Sequence, residues 1–521
     1  MNASTTHAAG PLLIEGGMLL EAASGARAAD ILVEEGVIRE VGEGIAARLR
    51  AAGGLPVGLR VIDARERYVV PGFIAAHFHS HDALLRGLFE PMTLEAWLAL
   101  GVPVNYPPRS REEIRARALL AALECLRSGI TTVQDLCTLH PFDESHVGVV
   151  LDAYDEVGIR VEFALQVADA PGQYRVPHWD EVVPSELRRS MATSVKPLGH
   201  REAILELVDG QIERWRGRHA RTTWGLGAAT PENCSDAFLQ ALTERAERLD
   251  CRIYTHLYES KSTVVNARAH FAHHGGSLVA WMDAIGVLGP RLTMAHCVWL
   301  QPAEIEAIAR AGARVALNSA SNLKTLSGVA PIRELFEAGV GVGLGTDNSS
   351  CSDAQDMFTA MKLLALLSSA SHGLTGRPDA REAFAAATTG SAAGIGQADR
   401  LGRIAPGFRA DLTLIDRNDP ALHPVNDPIR QLVYAASVRS VQTVLVDGEV
   451  VVDGARSTRI DERELFREVA ELMPGLRADL AAIIERGAPV APYLSEVHRR
   501  NLAVPVGIDR YIARPVAASG R

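Results

Sequence analysis

His77 and His79 close an apolar run, Pro71-Gly72-Phe73-Ile74-Ala75-Ala76-His77-Phe78-His79, with one residue between them. Residues two apart on a strand point to the same side, so both imidazoles can aim at one metal ion. Farther along, His256 with Glu259, His296 and Asp347 stand at the ends of other apolar runs. Histidine nitrogens together with a carboxylate oxygen suit zinc or a comparable divalent transition metal. A lone histidine at a strand end more often bonds a loop. Four separate strands ending in ligand-type residues are hard to explain by packing, and they point to a metalloenzyme.

The elements that must carry these residues are legible in the pattern of the chain. From Phe73 to about Gly390, strand-like apolar runs alternate with helical stretches, as repeated β/α units with a parallel sheet require. The runs are Phe73–Ser80, Thr131–Leu136, Arg160–Ala168, Thr222–Thr230, Arg252–Glu259, Leu292–Leu300, Arg314–Asn322 and Val340–Asn348. Eight is the barrel number, and in a β/α barrel the active site lies at the C-terminal ends of the strands. Helices between them are well signalled: Ser110 precedes Glu112 and Glu113 ahead of a helix to Arg127 with Gly129 beyond, and Pro302–Ala311 runs up to Gly312.

Short β-type runs precede the barrel (Leu12–Ile14, Ile31–Val33, Val37–Val41, Val61–Ala64) and others follow it (Ala410–Ile415, Val441–Val446, Glu449–Val452, with Asp447-Gly448 as a hairpin turn). The fold expected is α/β: a (β/α)8 TIM-type barrel over residues 71–398, and a small β-sandwich formed by both chain ends, 1–70 and 399–458. A helical and irregular tail, 459–521, packs on either the barrel or a neighbour.

Composition sets the class. The chain has 521 residues, 47% hydrophobic and 22% charged, enough for a large core. Its formal charge of -10 is spread without long like-charged blocks, which argues against nucleic acid and membrane surfaces as partners. The N-terminal stretch Met1–Gly17 lacks the pattern of a secretory signal, so a cytoplasmic location is expected. Cys125, Cys137, Cys234, Cys251, Cys297 and Cys351 are scattered without CxxC spacing, and read as small buried hydrophobes.

These motifs together resemble the amidohydrolase superfamily, and within it the branch of cytosine deaminase-like, triazine hydrolase-like and S-adenosylhomocysteine deaminase-like enzymes. The resemblance runs over nearly the whole length. It is carried by Val69-Val70-Pro71-Gly72, His77-Phe78-His79, Leu84-Leu85-Arg86-Gly87, Gly129-Ile130-Thr131-Thr132, His256-Leu257-Tyr258-Glu259, Ala295-His296-Cys297, Ser321-Asn322-Leu323-Lys324, Gly345-Thr346-Asp347 and the stretch from Gly407 to Leu414. It implies that His77, His79, His256 and Asp347 hold one metal, zinc first with iron, cobalt or manganese as alternatives. His296 is then a further ligand or a partner of the attacking water, and Glu259 shuttles the proton. Binuclear members add a carboxylated lysine at the end of strand four. Thr222–Thr230 contains no lysine, which favours a single ion.

The expected reaction is hydrolysis of a non-peptide carbon–nitrogen bond in a small molecule, foremost removal of an amine from a nitrogen heterocycle. Cleavage of an acyclic amide, urea or carbamate, or displacement of aromatic chloride, is the alternative. A catalytically silent binding homologue would show lost ligands, and none is lost. Two departures from the resemblance lead away from nucleosides. The histidine that deaminases of adenosine-type thioethers carry is missing near Ala229, and run seven reads Asn318-Ser319-Ala320-Ser321-Asn322 where Asn-Pro-x-Ser-Asn is usual. Arg86, Phe89, Trp97, Tyr106 and Asn322 are the candidate substrate contacts, since loops at this barrel face carry function. His81 and Asp82 either contribute or cap a loop, Lys324 meets an anion or forms an ion pair, and Asp135 orients a ligand histidine or holds a loop. A homodimer or larger homo-oligomer is the family-level expectation.

Overall fold

A computed structural model describes residues 10–52, 54–170, 176–188, 199–372 and 377–512. The N-terminal runs form β1 (Leu12–Glu21), β2 (Gly25–Glu34), β3 (Val37–Gly42), β4 (Arg60–Asp63) and β5 (Arg67–Pro71). The barrel runs follow as β6 (Phe73–His79), β7 (Ile130–Cys137), β8 (Arg160–Val167), β9 (Thr222–Trp224), β10 (Leu226–Ala228), β11 (Ile253–Leu257), β12 (Leu292–His296), β13 (Arg314–Leu317), β14 (Gly341–Leu344) and β15 (Asp347–Asn348). Beyond them lie β16 (Leu412–Asp416), β17 (Val441–Val446), β18 (Glu449–Asp453) and β19 (Arg456–Ser457).

All eight expected runs become parallel strands, the fourth and eighth each in two pieces. The eighth closes the ring: β14 pairs with β13, and after a two-residue break β15 pairs with β6 through Asp347 opposite Phe78 and Asn348 opposite His79. Every residue of β6 and β7 is buried. A barrel strand has side chains inside and helices outside, so both faces are buried: β6 reads as a continuous apolar run up to His77, whereas β7 buries Thr131, Thr132, Gln134 and Asp135 among its apolar residues. The expected helices form. Ser110 Oγ accepts from Glu113 N–H at 3.2 Å to cap Arg111–Arg127, and Pro302–Ala311 ends at Gly312 with φ 69°.

The two chain ends meet in one nine-stranded mixed sheet, with β16 antiparallel to β5 and β4 alongside β1. Its core mixes Leu12, Ile14, Ile31 and Val33 with Leu412, Leu414 and Leu445, so neither end can bury its apolar face alone. Asp447 and Gly448, at φ 50° and 71°, make the tight turn between β17 and β18. A buried guanidinium ties this sheet to the barrel: Arg160, at the start of β8, donates to Asp411 at 2.8 and 3.1 Å and to Asp447 at 2.6 Å.

The tail packs on the barrel. Helix Glu462–Gly487 sets Leu476, Leu480 and Ile483 against Leu94, Trp97 and Tyr106. Helix Ala491–Ala503 and the following segment are pinned by Lys261 Nζ to Leu502 O at 2.6 Å, Arg268 to Val506 O at 2.6 Å and Val329 N–H to Arg510 O at 2.7 Å. Among the described residues no helix is long and apolar enough to cross a membrane.

Candidate metal centre and its pocket

At the C-terminal mouth of the barrel, β6 delivers His77 and His79, β11 delivers His256, β12 ends on His296 and β15 begins with Asp347. Glu259 follows two residues after β11. These side chains form three overlapping triads: His77, His256 and His296; His77, His79 and Asp347; and Glu259, His296 and Asp347. The ligand atoms of each triad lie within 4.8 Å of one another. Asp347 Oδ1 is 3.5 Å from Nε2 of both His77 and His79, and its Oδ2 is 3.8 Å from His296 Nε2. Glu259 Oε2 lies 3.6 Å from His296 Nε2.

The hydrogen bonds fix the tautomers. His79 Nδ1 is 2.6 Å from Leu136 O, and His256 Nδ1 is 2.5 Å from Ala229 O. A carbonyl only accepts, so each ring carries its proton on Nδ1 and leaves a bare lone pair on Nε2. Those two Nε2 atoms face each other at 3.2 Å. Neither can donate to the other. His77 Nε2 is also buried without a hydrogen-bond partner. Lone pairs converging in this way fit a cation among them, and three imidazoles with a carboxylate are the donor set of a zinc-type ion.

Burial holds the His77 imidazole down at about 4 and pushes His256 and His81 well below the usual histidine range, so these rings stay neutral and able to ligate. His296 goes the other way. Burial opposes its charge, but the Glu259 and Asp347 carboxylates and the Asn322 carbonyl raise it. Burial also works against ionised Asp347, yet His296, His77 and His79 together keep it well below the ordinary carboxylate range. Glu259 is pushed up to about 7, first by burial and then by the nearby carboxylates Asp347 and Glu95. Two carboxyls in one site thus have their affinities for protons driven apart, as acid–base division of labour needs.

The backbone around these ligands is strained. Tyr258, His296, Cys297 and Asp347 take φ of 48°, 69°, 51° and 59°. A left-handed conformation costs a side-chain-bearing residue about 1–3 kcal/mol, and such strain gathers at functional sites. Cross-strand bonds hold it: Cys297 N–H to Leu257 O at 2.9 Å, Val298 N–H to Tyr258 O at 3.1 Å and Thr346 N–H to His77 O at 3.0 Å. Gly345 is required by space alone, because a Cβ there would sit 2.0 Å from Asn318 Oδ1 and 2.8 Å from His77 Cβ.

The centre forms the floor of a pocket walled by Leu94, Trp97, Leu98 and Val102 on one side and by Gln166, Ala229 and Glu232 on another. Of the substrate contacts expected from the sequence, Trp97 lines this pocket and is fixed by its Nε1–H to Ser350 Oγ at 2.8 Å. The other four, Arg86, Phe89, Tyr106 and Asn322, do not line it. Arg86 turns away to an ion pair with Glu124. Tyr106 packs in the apolar cluster behind the wall, with the Arg109 guanidinium 5.8 Å over its ring. Asn322 lies beneath His296, accepting its Nδ1–H at 2.8 Å, so it orients a site residue. Phe89 joins the same apolar cluster as Tyr106.

Asp135 accepts from Ser80 Oγ at 2.8 Å and Tyr154 OH at 2.6 Å, which makes it a loop holder. Asp82 caps the segment after Asp347 through Ser349 and Ser350 N–H at 3.0 and 2.9 Å, and Lys324 pairs with Asp353. Gln166, His81 and Glu232 also line the pocket. Gln166 and Glu232 were not singled out from the sequence. A polar residue near the end of an otherwise apolar run was the available signal for Gln166; Glu232, in a turn after β10, offered none.

Comparison with known proteins agrees with this geometry. A model of the amidohydrolase family matches residues 68–451. A 5-methylthioadenosine/S-adenosylhomocysteine deaminase of Moorella thermoacetica is 32% identical over 429 residues, 81% of this chain and 91% of that protein. A 5'-deoxyadenosine deaminase of Methanopyrus kandleri is 31% identical over 403 residues, 77% of this chain and 85% of that protein. Among solved structures, a zinc-bound adenosine deaminase from Xanthomonas campestris superposes with a TM-score of 0.77 at 26% identity, covering 90% of this chain and 98% of its own. An atrazine chlorohydrolase from Arthrobacter aurescens complexed with zinc gives 0.74 at 25% identity, covering 89% of this chain and 100% of its own.

Proposed function

Since this chain belongs to the amidohydrolase family, we propose that it deaminates an amino-substituted nitrogen heterocycle at a centre holding one divalent ion, zinc in the first place. It is a metal-dependent hydrolase acting on non-peptide carbon–nitrogen bonds of a small molecule. In this reading His77, His79, His256 and Asp347 are the ligands. The observation that carries it is the pair of unprotonated Nε2 atoms of His79 and His256 facing each other at 3.2 Å while both Nδ1 protons are committed to carbonyls. The absence of lysine from Thr222–Thr230 supports a single ion.

When bound, such an ion supplies a water acidified toward neutrality. The chain's own residues do the rest. Asp347, held ionised by His296 and His77 against burial, accepts a proton from the nucleophile's side. Glu259, poised at about 7, passes its one proton to a ring nitrogen, a transfer worth about 10²–10⁴ in rate, and the proton that Asp347 took from the nucleophile goes to the departing amine. His296, kept in register by Asn322, offers its Nε2 between the two carboxylates. The apolar wall of Leu94, Trp97 and Leu98 excludes bulk water and receives the flat ring.

The sequence departures at Ala229 and Ser319 led away from nucleosides, whereas the relatives just named are deaminases of adenine nucleosides. Neutral adenine nucleosides are therefore the first substrates to test, with this chain recognising them through side chains of its own. The experiment is ammonia release from adenosine, 5'-deoxyadenosine and 5-methylthioadenosine, with chloride release from a chlorinated triazine in parallel. It uses protein stripped by chelator and protein reloaded with zinc. Turnover that vanishes on stripping and returns on reloading supports the proposal. A fully zinc-loaded protein inert toward every amine would refute it. A homodimer or larger assembly acting in the cytoplasm belongs to the same reading, and light scattering and cell fractionation test it.

A further inference from the structure

Two pocket residues each keep one acceptor oxygen without a partner, although the backbone and Thr230 favour the ionised form of the Glu232 carboxyl. Gln166 near the end of β8 and Glu232 in the turn Pro231–Asn233 both line the cavity beside Ala229. Gln166 Oε1 and Glu232 Oε2 are buried without a hydrogen-bond partner. Glu232 is only 1% exposed. Buried acceptors are almost always paired, so an unpaired pair on a cavity wall marks where a ligand's donors belong. The charge of the lining is equally one-sided. Among the described lining residues there is no lysine and no arginine, while Glu232, Glu259 and Asp347 are carboxylic. Arginines are abundant elsewhere and meet carboxylates, as Arg86 meets Glu124 and Arg160 meets Asp411. Among the described residues none faces this cavity.

We propose that Glu232 and Gln166 are specificity-determining acceptors that select a substrate offering N–H or O–H donors and carrying no negative charge. The inference rests on reading this cavity as the deaminase pocket. A phosphate or carboxylate arm would be desolvated beside Glu232 with no cation among the described lining residues to receive it. Hydroxyls, ring N–H groups or a cationic amine would be received. Burial pushes Glu232 up to about 7, and a donor-rich partner draws it into its ionised form. At pH 8 the acceptor state dominates.

The test uses the zinc-loaded full chain at pH 8 with 5'-deoxyadenosine and adenosine 5'-monophosphate. The wild type is expected to show kcat/KM at least about 100-fold lower for the phosphate, the scale of a like charge set against a buried one. Glu232→Gln is expected to raise KM for 5'-deoxyadenosine about tenfold with kcat within about threefold, and to narrow the disadvantage of the phosphate. Gln166→Leu is expected to raise KM without narrowing it. Equal use of both compounds by the wild type, or an unchanged KM and unchanged discrimination in Glu232→Gln, overturns the proposal. If neither compound turns over, the deaminase reading falls, and calorimetry of 5'-deoxyadenosine binding decides this one. Weaker binding to Glu232→Gln than to wild type sustains it, and equal binding overturns it.

Discussion

Glu259→Gln is the sharpest perturbation of the centre, because it removes a transferable proton while preserving shape. Glu259 is partly buried, and its Oε2 lies 3.6 Å from His296 Nε2. The two atoms belong with Asp347 to one of the three triads able to hold an ion. Two roles are therefore open to this carboxyl, and they predict different things. As a proton carrier, its loss should lower kcat by about 10²–10⁴, or about 3–5 kcal/mol at 1.36 kcal/mol per decade, with zinc content unchanged. As a ligand, its loss should take the metal with it. The assay is kcat for ammonia release set beside metal content by mass spectrometry on the same preparation. Full zinc with activity within about threefold of wild type would remove Glu259 from the chemistry, given the size of general acid–base effects. Loss of zinc in step with activity would move Glu259 from carrier to ligand.

Three further outcomes follow from the geometry. Gly345→Ala would drive a Cβ into Asn318 Oδ1 and His77; zinc affinity should fall about 10–100-fold, measured by competition with a chromophoric chelator. Arg160→Met would leave Asp411 and Asp447 without their shared buried partner, lowering stability to urea by about 3–5 kcal/mol. Burial pushes Glu162 up to about 7 against hydrogen bonds from Thr223 and Tyr254. A carboxyl whose folded value is raised contributes stability that is full below its unfolded value near 4.5 and is lost as pH climbs to about 7. The wild type should lose on the order of 3 kcal/mol across that window and Glu162→Gln should not, as urea midpoints at pH 4.5, 6 and 8 would show. Identical pH dependence in the two proteins would contradict the assignment.

Much of the architecture could be read along the chain, because strand identity is a local property. Continuous apolar runs such as Phe73–Ala76 announce strands buried on both faces, and parity along β6 places His77 and His79 on one side. Chain order and the rule that barrel sites sit at strand ends then bring His256, His296 and Asp347 into view, since each stands where its run stops. Local pattern reaches one element at a time. It says which residues face the mouth of the barrel, and nothing about which of them meet.

Meeting depends on segments far apart in sequence and on what each side chain loses when water leaves. Asn322 reads as a pocket residue until the fold sets it 2.8 Å beneath His296 Nδ1. Arg86 reads as a ligand contact until Glu124, on the helix across from it, claims the guanidinium. The protons on His79 and His256 are located by the carbonyls of Leu136, on β7, and Ala229, just past the end of β10. Glu232 is unremarkable in its turn and becomes a wall of the pocket only through burial. The ligand types were written in local pattern and spacing; their protonation, their second partners and the polarity of the cavity came from long-range packing, where desolvation and distance have no signature in neighbouring residues.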